Sequence, residues 1–573
     1  MLNIEDNIQL LNSPRPTVEV HLPDGIVLEG PRSTAVEFFL RKLPVWNQIP
    51  VVGAIVNGEL RELTYKIDMD SKATPVCMSD ADGVLIYRRS LTFLLEKAFE
   101  DLYSTNELVV DHAISSGGFY CHVIGWNTVP NKVIRELEDH MRSLVADDLP
   151  FVRERVTLAQ AIRYFDENGY LDKLRLLKYR TKDYLILYQL GEHRDYHHGY
   201  MVPSTGYLRW FKLSRMGKGF ILRFPRRNMP TKILPMPRSL RLLETFTQYG
   251  DWLTRLEIDS VGALNDAIAA NRIQEVILVS EALHEQKIAD IAKDIVTRTP
   301  KKRIVLIAGP SCSGKTTFSK RLAIQLLAQG ISPIPIEMDN YFVDRENSPL
   351  DENGQYNFET IEAVNIPLMG KNLLDLIQGK EVQIPHYNFR TGHSESGDVL
   401  KLNQDQLIIL EGIHGLNPGL LPVVPAGATY RLYISLLTQL NLDHQNRIST
   451  TDSRLIRRIV RDARERGYNA QQTIARWASV RIGEKKYIFP YQENADAMFN
   501  SALAYELSSL KLHAEPLLRQ VPHGTAEYIE AKRLLTLLEW FLPTDVELIP
   551  DNSILREFLG RSNLKDFKLW KKN

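Results

Sequence analysis

The sequence predicts a multidomain α/β protein. Its C-terminal half reads as a parallel sheet flanked by helices, preceded by a small β module and an α+β domain. Three observations predict this. The stretch Gly309-Pro-Ser-Cys-Ser-Gly314-Lys315-Thr316-Thr317 fits G-x-x-x-x-G-K-[ST]. It lies between an apolar run, Arg303–Ala308, and a helically spaced segment, Phe318–Ala328, closed by Gly330. Downstream, the apolar runs Ile334–Met338 and Leu407–Leu410 each end in an acid, Asp339 and Glu411. Upstream of residue 64, two hairpin signals flank one short helical segment.

The chain has 573 residues, room for roughly three or four domains. Hydrophobic residues make up 44% and charged residues 24%, the balance of a globular protein rather than a disordered one. Formal net charge is zero, so there is no global attraction to nucleic acid or to an acidic membrane. The three cysteines, Cys77, Cys121 and Cys312, are too scattered for a disulfide framework or a zinc site. Cys312 inside the glycine loop suits a reducing compartment. No run of about 18 apolar residues occurs, and the N-terminus lacks a basic-then-apolar signal; the expectation is a cytoplasmic protein with no membrane partner.

In chain order, residues 1–13 read as a loose lead. Thr17–Leu22, the turn Pro23-Asp24-Gly25 and Ile26–Leu28 form a hairpin. Ser33–Leu43 is expected as a helix capped by Ser33 or Thr34. Val51–Val56, Asn57-Gly58 and Glu59–Leu63 form a second hairpin. Two hairpins around one helix suggest a β-grasp module. Leu22-Pro-Asp-Gly25 and Ala54–Leu60 resemble the TGS domain at the front of threonyl-tRNA synthetases, which implies a domain over residues 1–80. Arg88–Leu95, His140–Pro150, Asp195–Gly199 and Val202–Gly206 are similar to the second additional domain of threonyl- and alanyl-tRNA synthetases, expected over 81–250. In that domain four groups form a metal or hydrolytic cluster. They fall here on Arg89, Phe93, His197 and Met201, so the resemblance implies that editing chemistry is lost. His193, His197 and His198 offer a metal reading, but a cluster without partners at matching spacing is more often polar surface or a structural remnant. Pro225, Pro230, Pro235 and Pro237 mark a boundary. Leu240–Ile258, Leu264–Ala270 and Ala282–Val296 read as helices, with a helical linker over 251–300 and a joint at Thr299–Lys302. The glycine-loop domain is expected over 301–510 and a helical extension over 511–573, with an amphipathic helix at Ala526–Leu542 and a basic tail from Ser562.

The glycine loop supplies a phosphate cradle: Gly309, Ser311, Ser313, Gly314, Lys315, Thr316 and Thr317 can turn amides, an ammonium and hydroxyls toward phosphates at a helix N-terminus. Thr316 can also serve Mg²⁺. Asp339 at a strand end can take a hydroxyl proton or enter the Mg²⁺ shell, or simply cap a turn. Glu411 stands where a second Mg²⁺ carboxylate belongs, or is an ordinary strand-end acid. Arg454, Arg457, Arg458 and Arg461 share one helix face, suited to phosphoryl oxygens, to tRNA backbone, or to solvent.

These residues, with Met338–Phe342, Tyr356–Glu359, Pro385–Phe389, His393 and Thr451–Gly467, resemble the uridine–cytidine kinase branch of the phosphoribulokinase/uridine kinase family over about residues 300–505. The resemblance implies ATP and Mg²⁺ as cofactors, Asp339 as catalytic base beside Lys315, and Arg461 and Arg466 on phosphates. It implies Arg458 and Glu359 on ribose hydroxyls, Tyr387, Phe389 and His393 on a pyrimidine, and Tyr341 at the acceptor. Three features depart from the family. Glu359 replaces an aspartate, the Tyr387–His393 loop is one residue longer, and Tyr468 stands where an arginine reads the base. The leading expectation is transfer of the γ-phosphate of ATP to the 5′-hydroxyl of uridine or cytidine. The alternatives are a kinase of another sugar-like molecule, an RNA- or tRNA-binding regulator with a nucleotide switch, and a hydrolase of mischarged tRNA. A homo-oligomer is compatible with all of them.

Overall fold

The structure is a computed structural model that describes residues 13, 15–114, 117–235, 240–299, 301–350, 354, 356–438 and 440–567. The loose lead over residues 1–12, Pro237, Pro300 and the tail over 568–573 lie outside the described residues. The chain divides into two compact units. One comprises residues 1–164, 182–236 and 522–529; the other comprises 165–181, 237–521 and 530–573.

The first unit begins with a five-stranded sheet in the order Val27–Pro31, Thr17–His21, Ser71–Cys77, Val51–Val56, Glu59–Arg61. Both expected hairpins are present. Asn57 and Gly58 take φ of 50° and 81°, the two left-handed residues that a tight hairpin turn requires. Thr17–His21 pairs in parallel with Ser71–Cys77, a strand the sequence reading lacked. Val18, Val20, Phe39, Leu40 and Val56 form its core. The helix expected over Ser33–Leu43 is shorter. Thr34–Ala35 pairs with Lys66–Ile67, and only Val36–Leu40 is helical, with no side-chain cap. Ser33 is diverted: its hydroxyl donates to Asp68 at 2.5 Å, and its φ is 63°.

The rest of this unit is organised around the helix Ala81–Tyr103. Ile86, Tyr87, Leu91, Phe93, Leu94, Leu95 and Phe99 are buried in one core with the strands Leu108–Ile114, Gly118–Val123 and Gly219–Arg223. A separate antiparallel sheet joins Val152–Thr157, Tyr184–Leu190 and His193–Asp195.

The second unit carries a five-stranded, wholly parallel sheet in the order Ser332–Glu337, Gln406–Glu411, Ile304–Ala308, Thr429–Ser435, Ala497–Asn500. A parallel sheet covered on both faces needs continuous apolar strands, and Ile304–Ala308 is buried at every position. The helix Lys315–Ala328 follows the glycine loop and packs beside Ile273–Arg298, where Arg321 pairs with Glu281 at 3.4 Å and Glu285 at 2.8 Å. Residues 251–300, expected as a linker, thus fold within this unit. All five strands run the same way, so Ala308, Glu337 and Glu411 emerge at one edge. That edge is where parallel α/β sheets bind ligands. Among the described residues, no helix is long and apolar enough to cross a membrane.

Candidate active site

The glycine loop leaves Ile304–Ala308 and turns into the helix Lys315–Ala328. A Cβ on Gly309 would lie 1.9 Å from the Ile434 carbonyl oxygen, so only glycine lets the loop run this close to the neighbouring strand. Gly314 caps the helix at φ 80°, the left-handed region where glycine carries no steric penalty. Lys315 Nζ donates to the Pro310 carbonyl at 3.2 Å, and the Thr316 hydroxyl donates to Glu411 Oε1 at 2.9 Å.

Three carboxylates meet beside this loop. Glu337 and Glu411 face each other in register on adjacent strands, and Asp339 follows in a single turn of tight helix, Met338–Tyr341. The Glu411 carboxyl is pushed up to about 7, chiefly by burial, against the pull of Lys315 and Thr316. Asp339 is open to solvent on one side, yet the protein around its carboxyl pushes its pKa up. Glu337 adds to the rise and Lys315 opposes it. Glu359 is likewise raised by burial and by Glu484, with Arg458 and Lys315 opposing. An excess of anionic groups around Lys315 fits a divalent cation, and Thr316, Asp339 and Glu411 are the donors that would hold Mg²⁺.

The arginine helix, Thr450–Glu465, overturns one reading of its sequence. Arg454 and Arg457 are 1% and 0% exposed, so theirs is not a solvated face, and both grip the loop backbone. Arg454 forks onto Glu484 and donates Nε to the Ser311 carbonyl at 2.9 Å. Arg457 donates to the carbonyls of Cys312 at 3.4 Å and Ser501 at 3.0 Å, and to Glu506 at 2.6 Å. Arg458 donates to the Ser311 hydroxyl at 3.1 Å. Arg458, Arg461 and Arg466 surround Asp462 at 3.2, 2.7 and 3.7 Å. Glu484 accepts from the Ser311 amide at 3.1 Å and so fixes the loop from below.

The residues expected at the acceptor separate. Tyr341 turns into the core, 1% exposed, with Asn372 donating to its hydroxyl. Tyr387 is equally buried, between Phe342 and Phe389. Phe389 is 58% exposed, and His393 pairs with Asp344 at 3.6 Å on the hairpin Val382–Asn388/His393–Leu400. The structure therefore gathers Lys315, Thr316, Asp339, Glu359, Glu411 and Arg458, and leaves His393 with Asp344. Sequence reasoning missed Glu337 and Glu484. The signal for Glu337 was its place at the end of an apolar run two residues before Asp339, and Glu484 carries none.

Comparison with known proteins accords with this geometry. The phosphoribulokinase/uridine kinase family matches residues 304–507. The uridine kinase of Ligilactobacillus salivarius is 31% identical over 203 residues, which cover 35% of this chain and 86% of that enzyme. The chain belongs to the phosphoribulokinase/uridine kinase family. A structure described as a possible uridine kinase from Bacillus stearothermophilus covers 38% of this chain and 98% of its own at 20% identity, with a TM-score of 0.26. The N-terminal region is similar to synthetases: threonine–tRNA ligase 2 of Bacillus subtilis is 27% identical over 205 residues, 35% of this chain. The chain spans about a third (32%) of that ligase's length.

In this kinase-family chain, residues beyond the matched range also touch the phosphate loop. Ile554 lies 2.5 Å from where a Cβ on Gly314 would stand. The Thr317 hydroxyl donates to Glu557 at 2.8 Å, and Lys320 donates to the carbonyls of Leu564 and Lys565 at 2.6 and 2.9 Å. Arg464 donates to the Glu557 carbonyl at 2.9 Å, and Phe558 lies against Arg457.

Proposed function

We propose that the chain is an ATP-dependent kinase that phosphorylates the 5′-hydroxyl of a nucleoside, with uridine or cytidine as the first candidates. The observation that carries the reading is the gathering of Lys315, Thr316, Asp339 and Glu411 at the carboxyl ends of adjacent parallel strands beside the glycine loop. The loop amides, Lys315, Arg461 and Arg466 hold phosphates. Asp339, raised in pKa, accepts the hydroxyl proton, and Glu359 with Arg458 holds the sugar. Thr316, Asp339 and Glu411 would hold Mg²⁺, which would neutralise charge on the phosphates. Positioning and electrostatics then account for the rate.

A second reading is favoured by the exposure of Phe389 and the pairing of His393 with Asp344: an acceptor that is sugar-like but carries no pyrimidine. The proposed division of the chain is a TGS-like domain over 1–80, a synthetase-like domain over 81–250, helices over 251–300, the kinase domain over 301–510 and an extension over 511–573. The proposed setting is cytoplasmic. The decisive experiment incubates labelled ATP with nucleosides, free sugars and sugar acids, each with and without tRNA. Product with uridine or cytidine supports the first reading, and product only with non-nucleosides supports the second. Turnover only with tRNA present identifies an RNA-regulated switch.

A further inference from the structure

The expectation that His193 and His197 sit on a polar surface does not hold: they are 6% and 7% exposed. Both face the helix Ala81–Tyr103, where Glu96 is 5% exposed. The ligand atoms of Glu96, His193 and Asp195 lie within 4.8 Å of one another. His193 Nδ1 bonds to Glu100, one helical turn beyond Glu96. That contact gives Nδ1 the proton and turns Nε2 inward, the arrangement by which a carboxylate orients a metal-binding imidazole. His193 Nε2 and Glu96 Oε1 are both buried and lack any hydrogen-bond partner; Nε2 is 3.8 Å from the other Glu96 oxygen. His197 Nε2 bonds that same oxygen at 2.9 Å. Asp195 accepts from the Tyr196 amide at 2.6 Å, which fixes its carboxylate.

We infer that Glu96, His193 and Asp195, with His197 alongside, form a structural site for a divalent transition-metal ion of the zinc class. Tetrahedral donors about 2.0–2.2 Å from an ion are ~3.3–3.6 Å apart, so closing this cluster brings its donors together by up to ~1.5 Å, within reach of side-chain rotation. Mixed imidazole and carboxylate donors suit zinc better than calcium or magnesium. Of the four synthetase-type positions, only His197 stands at the site. Arg89 donates to the Tyr200 carbonyl at 2.6 Å, Met201 is buried in the core, and Phe93 covers both imidazoles with ring centroids 4.8 and 5.4 Å away. That aromatic wall keeps water from the ligands, so the ion ties the helix to the strand His193–Asp195 and performs no hydrolysis.

The test uses the full-length chain, stripped with chelator and titrated with Zn²⁺ and with Co²⁺ as spectroscopic probe, without nucleotide. The expected result is one tightly held zinc per chain, tetrahedral cobalt absorption, and a melting temperature that zinc raises. Glu96→Gln and His193→Gln should weaken zinc binding more than about 100-fold. Glu100→Gln should weaken it about 10–100-fold, as the loss of an orienting partner does. Glu411→Gln, in the other unit, should keep the zinc. If His193→Gln fails to fold, Glu96→Gln and the wild-type melting shift decide. A folded wild type that takes up no zinc, or a Glu96→Gln variant that keeps it, overturns the inference.

Discussion

Asp339 and Glu411 are both carboxylates at strand ends beside the loop, but their surroundings assign them different work. Asp339 is solvent-exposed, and in the proposed reaction it takes the hydroxyl proton. Asn at this position keeps the shape and cannot take the proton, so Asp339→Asn is expected to lower kcat by about 10²–10⁴ while ATP affinity changes little. A turn-capping role predicts the reverse, near-normal kcat with a small fall in melting temperature, and measuring both on one preparation separates the two. Glu411 carries a pH signature. Its pKa rises from 4.5 to about 7 on folding, mainly through burial. The folded state thus holds the proton more tightly. The resulting stability is present below about 4.5 and is lost as pH rises through about 7. Relative to Glu411→Gln, the wild type without Mg²⁺ or nucleotide should lose melting temperature across that window. Parallel curves for the two proteins would contradict the assignment. Lys315 and Thr316 were legible because a phosphate loop writes its chemistry into fixed local spacing. Glu484 was not, because it meets Ser311 across 173 residues and the sequence shows only one more helical glutamate.

At the scale of elements, the loop depends on the two helices beneath it. Ala470–Tyr487 presents Glu484 to Arg454 in a fully buried pair, and to Arg481 and the Ser311 amide at its partly buried edge. Glu484→Gln leaves two guanidinium groups without their counter-charge. Breaking a buried pair from one side costs about 3–5 kcal/mol. The urea midpoint should fall accordingly and ATP binding should weaken, because a neutral amide holds Arg454 and the Ser311 amide less strongly than a carboxylate. A change within ~1 kcal/mol would show that the pair is not a support for the loop. The helices and hairpins with strong periodicity or an Asn-Gly turn were legible, as were the two apolar strands that end in acids. Ser71–Cys77 was not, since Pro75 interrupts it and its inward positions Ser71 and Ala73 carry little hydrophobic signal. The arginine helix was legible as a helix, but its buried face was not. Arginines at that spacing look the same whether they face solvent or backbone carbonyls.

At the scale of the whole molecule, the unit that holds the phosphate loop takes in residues 165–181, far upstream in sequence. Lys173 and Asp443 are fully buried and 3.4 Å apart, and Lys173 also donates to Gln445 at 2.9 Å. Lys173→Met should therefore lower the thermal transition that ATP raises. If it lowers only a transition that nucleotide leaves untouched, residue 173 belongs with the other unit. The contact of Ile554 and Glu557 with the loop has a consequence in time. Thr317 and Glu557 are 240 residues apart. The loop is held only once Glu484 has been made, and at about 5–20 residues per second of synthesis the stretch from there to Glu557 takes roughly 4–15 s. Throughout that interval a nascent phosphate loop faces cellular nucleotide uncovered, and any ATP it takes up is in place before Glu557 arrives.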